Sequence, residues 1–222
     1  MTEEKCEEKC EKTDGGMEFN INDLVGSNGQ PKNYLVRNHY YFNEEINPDS
    51  ARALIINLHE VALTITGNCL ETGNKPASIE LHINSNGGSL SDALQIVQVI
   101  KDIQSGKACQ IGDSLVPIEV NTHIEGEADS GASLIACIGN YRTCSKYAMS
   151  LIHPMRSLDT TYKTVEERDI AIENDKKWNA IYKGVYLEHS KLTEEQLDTM
   201  FKTETFYTPD QLLDFGLIEE IV

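Results

Sequence analysis

The sequence predicts an α/β protein built from repeated strand–helix units, and three observations support this prediction. Residues 78–83 alternate polar and apolar side chains, as a half-buried strand does. A turn with two glycines follows at residues 84–89, and residues 90–103 then place apolar side chains on one helical face. Strands and helices alternate again further along the chain. This order favours a layered sheet whose crossover connections are right-handed.

The N-terminal segment is charged and poor in apolar side chains. We expect a flexible acidic tail over residues 1–16 and one folded domain over residues 17–222. The tail carries acidic residues where a signal peptide needs a basic and then an apolar region, which predicts a cytoplasmic protein. Cys6 and Cys10 lie one helical turn apart and could bind a soft metal, but a solvated charged tail is the favoured interpretation.

Composition limits the classes of partner. The apolar runs are far shorter than the roughly 20 residues that span a bilayer, so no membrane anchor is expected. The formal net charge of −17 disfavours binding to nucleic acid. The six cysteines show neither a CxxC pair nor the spacing of zinc ligands, so we expect reduced thiols, no metal and no cofactor.

Helix and strand signals continue through the chain. A helix is expected to begin at residues 48–50, with Ser50 or Asp49 as its cap and a loop from Asn68 to residue 74. Its apolar stripe is Leu54, Leu58, Val61, Ala62 and Ile65. Further strands are expected at 118–124, 142–146 and 149–153, with a helix of small residues at 130–136.

The C-terminal third is mostly helical by pattern. A long polar helix is expected from Thr164 to about Ser190, and its modest apolar content suggests that it protrudes or packs against another subunit. Its apolar residues are Ile170, Ile172, Trp178, Ile181, Tyr182 and Val185. Residues 193–196 and 208–211 match capping boxes of two further helices. Gly216 ends the last helix, and residues 217–222 can form a closing strand.

Three local contexts together suggest acyl transfer, which needs a nucleophile, a base and N–H donors aimed at the oxyanion. The glycine pair 87–88 lies between a strand and a helix, where bare backbone can approach a substrate. Ser130 precedes Gly131 at the start of the small-residue helix. His153 ends a predicted strand before Pro154. Each context alone is more often structural. Their order along the chain is what favours an acyl-transfer site.

Four segments resemble the ClpP family, the proteolytic subunit of the Clp protease. Residues 83–89 resemble its glycine-pair segment, 126–130 its nucleophile motif, 149–154 its histidine strand and 206–218 its C-terminal segment. The resemblance extends over residues 34–222. It implies a ClpP/crotonase-like fold with a protruding long helix and the activity of a serine endopeptidase.

By position, the resemblance implies that Ser130 is the nucleophile and His153 the general base. The backbone N–H groups of Gly88 and Gly131 correspond to the oxyanion hole. The family's acid is an aspartate, at the position where this chain has Glu204. A glutamate can orient an imidazole equally well, so Glu204 is the expected acid. Asp198 and Asp210 are lesser candidates, and a solvated surface glutamate is the structural alternative.

The resemblance also implies partners: a homo-oligomer of stacked, heptameric rings that receives polypeptide substrates from an AAA+ unfoldase. Glu80 and His82 occupy positions where the family has aromatic residues that dock the unfoldase, so docking of a standard unfoldase is in doubt. The connection from 101 to 130 is longer than in the family, and its unmatched stretch 106–113 has no assigned role. Residues 156–157 replace a glycine pair in the segment that should bind substrate as an added strand.

Three other functions are compatible with parts of the pattern. A crotonase-type acyl-CoA enzyme uses two backbone N–H groups but needs a CoA site and no serine nucleophile. A catalytically silent assembly subunit would keep the fold and lose the chemistry. A serine/lysine peptidase of the signal-peptide-peptidase type would need export and membrane features that the sequence does not suggest. Pairing of Ser130 with His153 favours the serine peptidase.

Overall fold

A six-stranded, mainly parallel sheet forms the centre of the protein. The structure is a computed structural model that describes residues 33–110, 115–155 and 164–222. In spatial order the strands are β1 (Tyr34–Val36), β2 (His39–Phe42), β3 (Ile79–Ser85), β4 (Val120–Ala128), β5 (Arg142–Cys144) and β8 (Glu220–Ile221). Within this sheet, as far as the structure describes it, β1 and β2 pair antiparallel and all other neighbours pair parallel. Two further strands, β6 (Ser150–Ile152) and β7 (Thr205–Tyr207), form a separate antiparallel pair.

Six helices accompany these strands in the described parts of the chain. They are α1 (Pro48–Thr72), α2 (Leu90–Gln104), α3 (Gly131–Cys137), α4 (Val165–His189), α5 (Glu194–Met200) and α6 (Pro209–Asp214). The alternation of β3, α2, β4 and α3 with parallel pairing confirms the predicted α/β class and its strand–helix units. The two capping boxes predicted at Thr193 and Thr208 are both present.

The apolar stripe predicted for α1 is buried in the core, where α1 packs against α2. By length and composition alone α1 could also cross a membrane, a test that core helices pass as well. Its buried stripe makes a core helix the better description. Its other side leaves Ile56, Leu63 and Leu70 exposed.

The cap predicted for α1 was wrong. Asn47 is the N-cap, and its side chain accepts the N–H groups of Asp49 and Ser50. The Ser50 hydroxyl in turn accepts the Asn47 N–H, which completes a capping box around Pro48 at the first helical position. The helix also passes through Asn68, expected in a loop, and ends at a left-handed Gly73.

Sequence reasoning missed the strands β1 and β2. They form a hairpin whose two-residue connection needs Arg37 at a φ of 59°, in the left-handed region. The aromatic run of β2 carries a strand signal, but no glycine marks the turn. Other expected bounds shifted by a few residues: β4 begins at Val120, and β8 is limited to Glu220–Ile221. The expected tail 1–16 and the domain start at 17 lie outside the described residues.

Candidate active site

Ser130 occupies a strained turn between β4 and α3. Its φ is 53° and its ψ is −121°, a conformation that an L-residue rarely adopts. The turn is held because the Ser130 N–H donates to the Leu151 carbonyl at 2.8 Å. Strain of this kind accumulates at functional sites and is a feature of sharp turns that expose a nucleophilic serine. Ser130 is half-buried.

The glycine pair packs directly against this turn. A Cβ added to Gly87 would lie 2.8 Å from the Ser130 Cβ and 2.4 Å from the Asp129 carbonyl oxygen. A Cβ added to Gly88 would lie 2.1 Å from the Ile46 carbonyl oxygen. Because both positions also have positive φ, only glycine allows the β3–α2 turn to approach Ser130 so closely.

Two backbone N–H groups at this turn are available to a ligand. Gly131 is the first residue of α3, so its N–H has no acceptor within the helix. The Ile46 N–H donates to the Gly87 carbonyl, and the Ile46 carbonyl accepts the Ser89 N–H, so both bonds go to the neighbours of Gly88. Among the described residues these bonds leave the Gly88 N–H without a partner. The structure therefore brings together the two donors that the sequence predicted for an oxyanion hole.

His153 follows the last residue of β6, one position beyond the end of the strand. Its Nδ1 lies 2.8 Å from the Pro154 carbonyl oxygen. A carbonyl can only accept, so Nδ1 carries the proton in this contact, and a neutral imidazole then has Nε2 free to act as a base. Within the described ranges, neither ring nitrogen of His153 is hydrogen-bonded to the Ser130 hydroxyl.

The expected acid lies on the strand that pairs with β6. The register joins Leu151 to Phe206 and Ile152 to Thr205. Continued by one residue past the end of the strand pair, the same register would set His153 opposite Glu204, where directly opposed side chains share a face. Glu204 is exposed. Glu204 is thus the acidic residue that the register would bring nearest to His153 along β7.

The two lesser candidates for the acid are engaged elsewhere. Asp198 on α5 forms an ion pair with Lys183 of α4, and this contact lowers the pKa of Asp198. Asp210 lies in the first turn of α6, where a carboxylate favours the helix N-terminus. Neither belongs to the strand pair that carries His153.

A chain of buried hydroxyl groups supports the nucleophile turn, and sequence reasoning missed it. The Ser133 hydroxyl donates to the Ser130 carbonyl and is also bonded to the Tyr186 hydroxyl of α4. The Tyr182 hydroxyl lies 3.3 Å from that of Tyr186. Burial raises the pKa of Tyr182 to about 12, so its hydroxyl stays protonated. The one signal in the sequence was a serine inside the otherwise apolar helix α3.

These contacts correct one expectation about α4. Tyr182 is buried beneath Ser130 and is not available to a partner, and Val185 is half-buried against the same core. On α4, Ile170, Trp178 and Ile181 are 62%, 38% and 51% exposed. Of the six apolar residues expected on α4, these three stay exposed on one side of the helix, and Ile172 is exposed on the opposite side.

The outer face of the sheet carries a polar cluster at the expected docking strand. His82 Nδ1 lies 2.7 Å from a Glu125 oxygen, and His82 Nε2 lies 3.0 Å from His39 Nδ1. Glu80 accepts the side-chain amide of Asn121. In the described part of the chain, no group of three or more His, Cys, Asp or Glu side chains is arranged to hold a metal ion. The face is thus a hydrogen-bonded polar surface.

Comparison with known families agrees with this geometry. A family model described as Clp protease matches residues 59–222, well over half of the chain. The matched region includes the glycine pair, the Ser130 turn, the His153 strand and β7. The chain belongs to the Clp protease family.

Proposed function

We propose that this protein is a serine endopeptidase that hydrolyses polypeptides by acyl transfer at Ser130. The observation that carries this proposal is the strained turn at Ser130, with the N–H groups of Gly88 and Gly131 beside it. A hydroxyl used only as a helix cap needs no positive φ and no glycine pair against it. A nucleophile beside an oxyanion hole explains both, because backbone strain clusters at functional sites and bare backbone can present N–H groups to the oxyanion.

The chemistry follows from the positions of these groups. As Ser130 Oγ attacks the substrate carbonyl carbon, Nε2 of His153 accepts the hydroxyl proton. The carbonyl oxygen gains negative charge and accepts hydrogen bonds from the N–H groups of Gly88 and Gly131. The imidazolium then donates its proton to the leaving amine, which breaks the peptide bond and leaves an acyl-serine. A water molecule attacks this ester in the same way, and Ser130 recovers its proton.

Glu204 is proposed as the carboxylate of the triad. Its charge would stabilise the imidazolium that forms on His153 during attack. Support comes from the β6–β7 register, which would set the two residues opposite each other if it continued by one residue. The Pro154 carbonyl already holds the Nδ1 proton of His153, so the contribution of Glu204 is mainly electrostatic.

We also propose that the chain works as a cytoplasmic homo-oligomer of stacked, heptameric rings, by its resemblance to ClpP. The stripe Ile170, Trp178 and Ile181 supports an assembly role, since burial of each side chain would contribute roughly 1.5–3 kcal/mol. An AAA+ unfoldase is the proposed source of unfolded polypeptide. The polar cluster around His82 and Glu80 suggests that such a partner docks through polar contacts.

A catalytically silent assembly subunit is the second candidate. The observation in its favour is the Ser130 hydroxyl, which makes no hydrogen bond to His153 across the described residues. Catalytic contacts are often long without substrate and tighten when it binds. We therefore retain the peptidase as the main proposal.

Hydrolysis of short fluorogenic peptides distinguishes these functions. The wild-type protein should release the fluorophore, Ser130→Ala should lose all turnover, and Ser91→Ala should behave as wild type because Ser91 is exposed at the start of α2. An inactive wild type that still assembles would support the silent subunit. Turnover of an acyl-CoA ester by Ser130→Ala would point to crotonase chemistry.

A further inference from the structure

Asp129 is a buried carboxylate directly before the proposed nucleophile. Asp129 is 6% exposed, and it is the one buried acidic residue in the ranges that the structure describes. A buried carboxylate is costly unless it accepts hydrogen bonds. Asp129 Oδ1 accepts the Leu151 N–H at 2.8 Å. This contact joins the residue before Ser130 to the strand that carries His153.

The surrounding backbone bonds show what the carboxylate replaces. The end of β4 and the start of β6 run parallel and are linked by three backbone bonds. Met149 N–H donates to Gly126 O at 2.9 Å, Ala128 N–H to Met149 O at 3.2 Å, and Ser130 N–H to Leu151 O at 2.8 Å. These are successive rungs of a parallel ladder, in which every second residue of one strand bonds to the two residues on either side of its partner.

One rung is missing from this backbone pattern. A regular ladder would join the Leu151 N–H to the Ala128 carbonyl. Instead the Ser150 hydroxyl donates to that carbonyl, and the Asp129 carboxylate accepts the Leu151 N–H. The sharp turn at Ser130 takes the chain out of the strand, and a side chain supplies the acceptor where the backbone no longer does.

We propose that Asp129 is a positioning residue that fixes β6, and with it His153, against the Ser130 turn. The inference rests on the proposed peptidase function. Leu151 is held from both sides, by Asp129 through its N–H and by Ser130 through its carbonyl, and His153 lies two residues further on. Loss of the carboxylate would leave a half-buried N–H unpaired and free the strand to shift. A shift of about 1 Å in a catalytic group can cost about 100-fold in rate.

Two substitutions separate positioning from charge. Asp129→Ala removes the acceptor, whereas Asp129→Asn keeps an amide oxygen that can accept the Leu151 N–H without the charge. We expect kcat on a fluorogenic peptide to fall about 10- to 100-fold in Asp129→Ala with KM little changed, and to recover to within about threefold of wild type in Asp129→Asn. Glu127→Ala, which removes a neighbouring acid outside this contact, is the matched control.

Hydrogen exchange gives a readout that does not need activity. Mass spectrometry of peptides covering β6 should show faster exchange at Leu151 in Asp129→Ala, and near wild-type exchange in Asp129→Asn and Glu127→Ala. Unchanged kcat or unchanged exchange in Asp129→Ala would overturn the proposal, as would loss of kcat in Asp129→Asn. A wild-type chain without peptidase activity would reject the proposed function instead, and exchange at Leu151 would then decide whether Asp129 holds β6.

Discussion

The Pro154 carbonyl oxygen lies 2.8 Å from Nδ1 of His153, so a backbone group rather than a carboxylate fixes the imidazole tautomer. Glu204, which the continued β6–β7 register would set opposite His153, is therefore proposed to act on the imidazole electrostatically. In a triad whose carboxylate alone fixes the tautomer, its loss costs about 10⁴-fold. Loss of the Glu204 charge should therefore cost less than loss of such a carboxylate.

Glu204→Gln should lower kcat on a fluorogenic peptide by about 10- to 100-fold, because the imidazolium loses a nearby charge while its tautomer is kept. Asp210→Asn is the matched control and should leave kcat unchanged. Steady-state kinetics would check both variants. A Glu204→Gln variant with wild-type kcat would show that the glutamate is only a surface residue.

Local signals predicted much of the fold and of the site. The glycine pair, the small-residue helix and both capping boxes depend on residues close in sequence, and the structure contains all of them. Pairing of Ile46 with Gly88 could not be inferred, because it joins distant segments of the chain. The burial of Tyr182 could not be predicted either, because α4 has too few apolar residues for its sequence to indicate which face packs against the core.

The hydroxyl chain predicts a stability effect. Tyr186→Phe removes the bond to the buried Ser133 hydroxyl and should lower the free energy of unfolding by about 1 kcal/mol. Tyr147→Phe is the control, since Tyr147 is 89% exposed and should lose nothing. Urea unfolding at one protomer concentration would compare the two variants. Equal midpoints would show that the hydroxyl chain does not stabilise the turn.

Burial raises the pKa of Asp129 above its ordinary value of 3.8, although the Leu151 N–H opposes the shift. A raised folded-state pKa means that the neutral acid is favoured in the folded protein. The contribution of Asp129 to the free energy of unfolding is therefore fully present below its unfolded-state pKa. It is lost as pH rises through its folded-state pKa. Asp129→Asn should thus be more resistant to urea than wild type near pH 7, with a difference that shrinks towards pH 4. A stability difference between Asp129→Asn and wild type that does not change with pH would contradict the raised pKa of Asp129.

The exposed stripe on α4 predicts how the protein assembles. Trp178→Glu combined with Ile181→Glu places charges where we propose that a partner subunit packs, and should reduce the mass seen by sedimentation while circular dichroism stays unchanged. Ile172→Glu is the control, because Ile172 is exposed but lies about 180° around the helix from Ile181. A wild type that is monomeric at micromolar concentration, or a double variant of unchanged mass, would exclude this interface.

Labelling with a fluorophosphonate probe, followed by peptide mapping, tests the central claim most directly. We expect one adduct, on Ser130, in the wild-type protein. His153→Ala should label far more slowly, because an unassisted serine hydroxyl is a poor nucleophile, and Ser130→Ala should not label at all. A wild-type protein that stays unlabelled while correctly folded, or an adduct on any other serine, would contradict the assignment of Ser130 as the nucleophile.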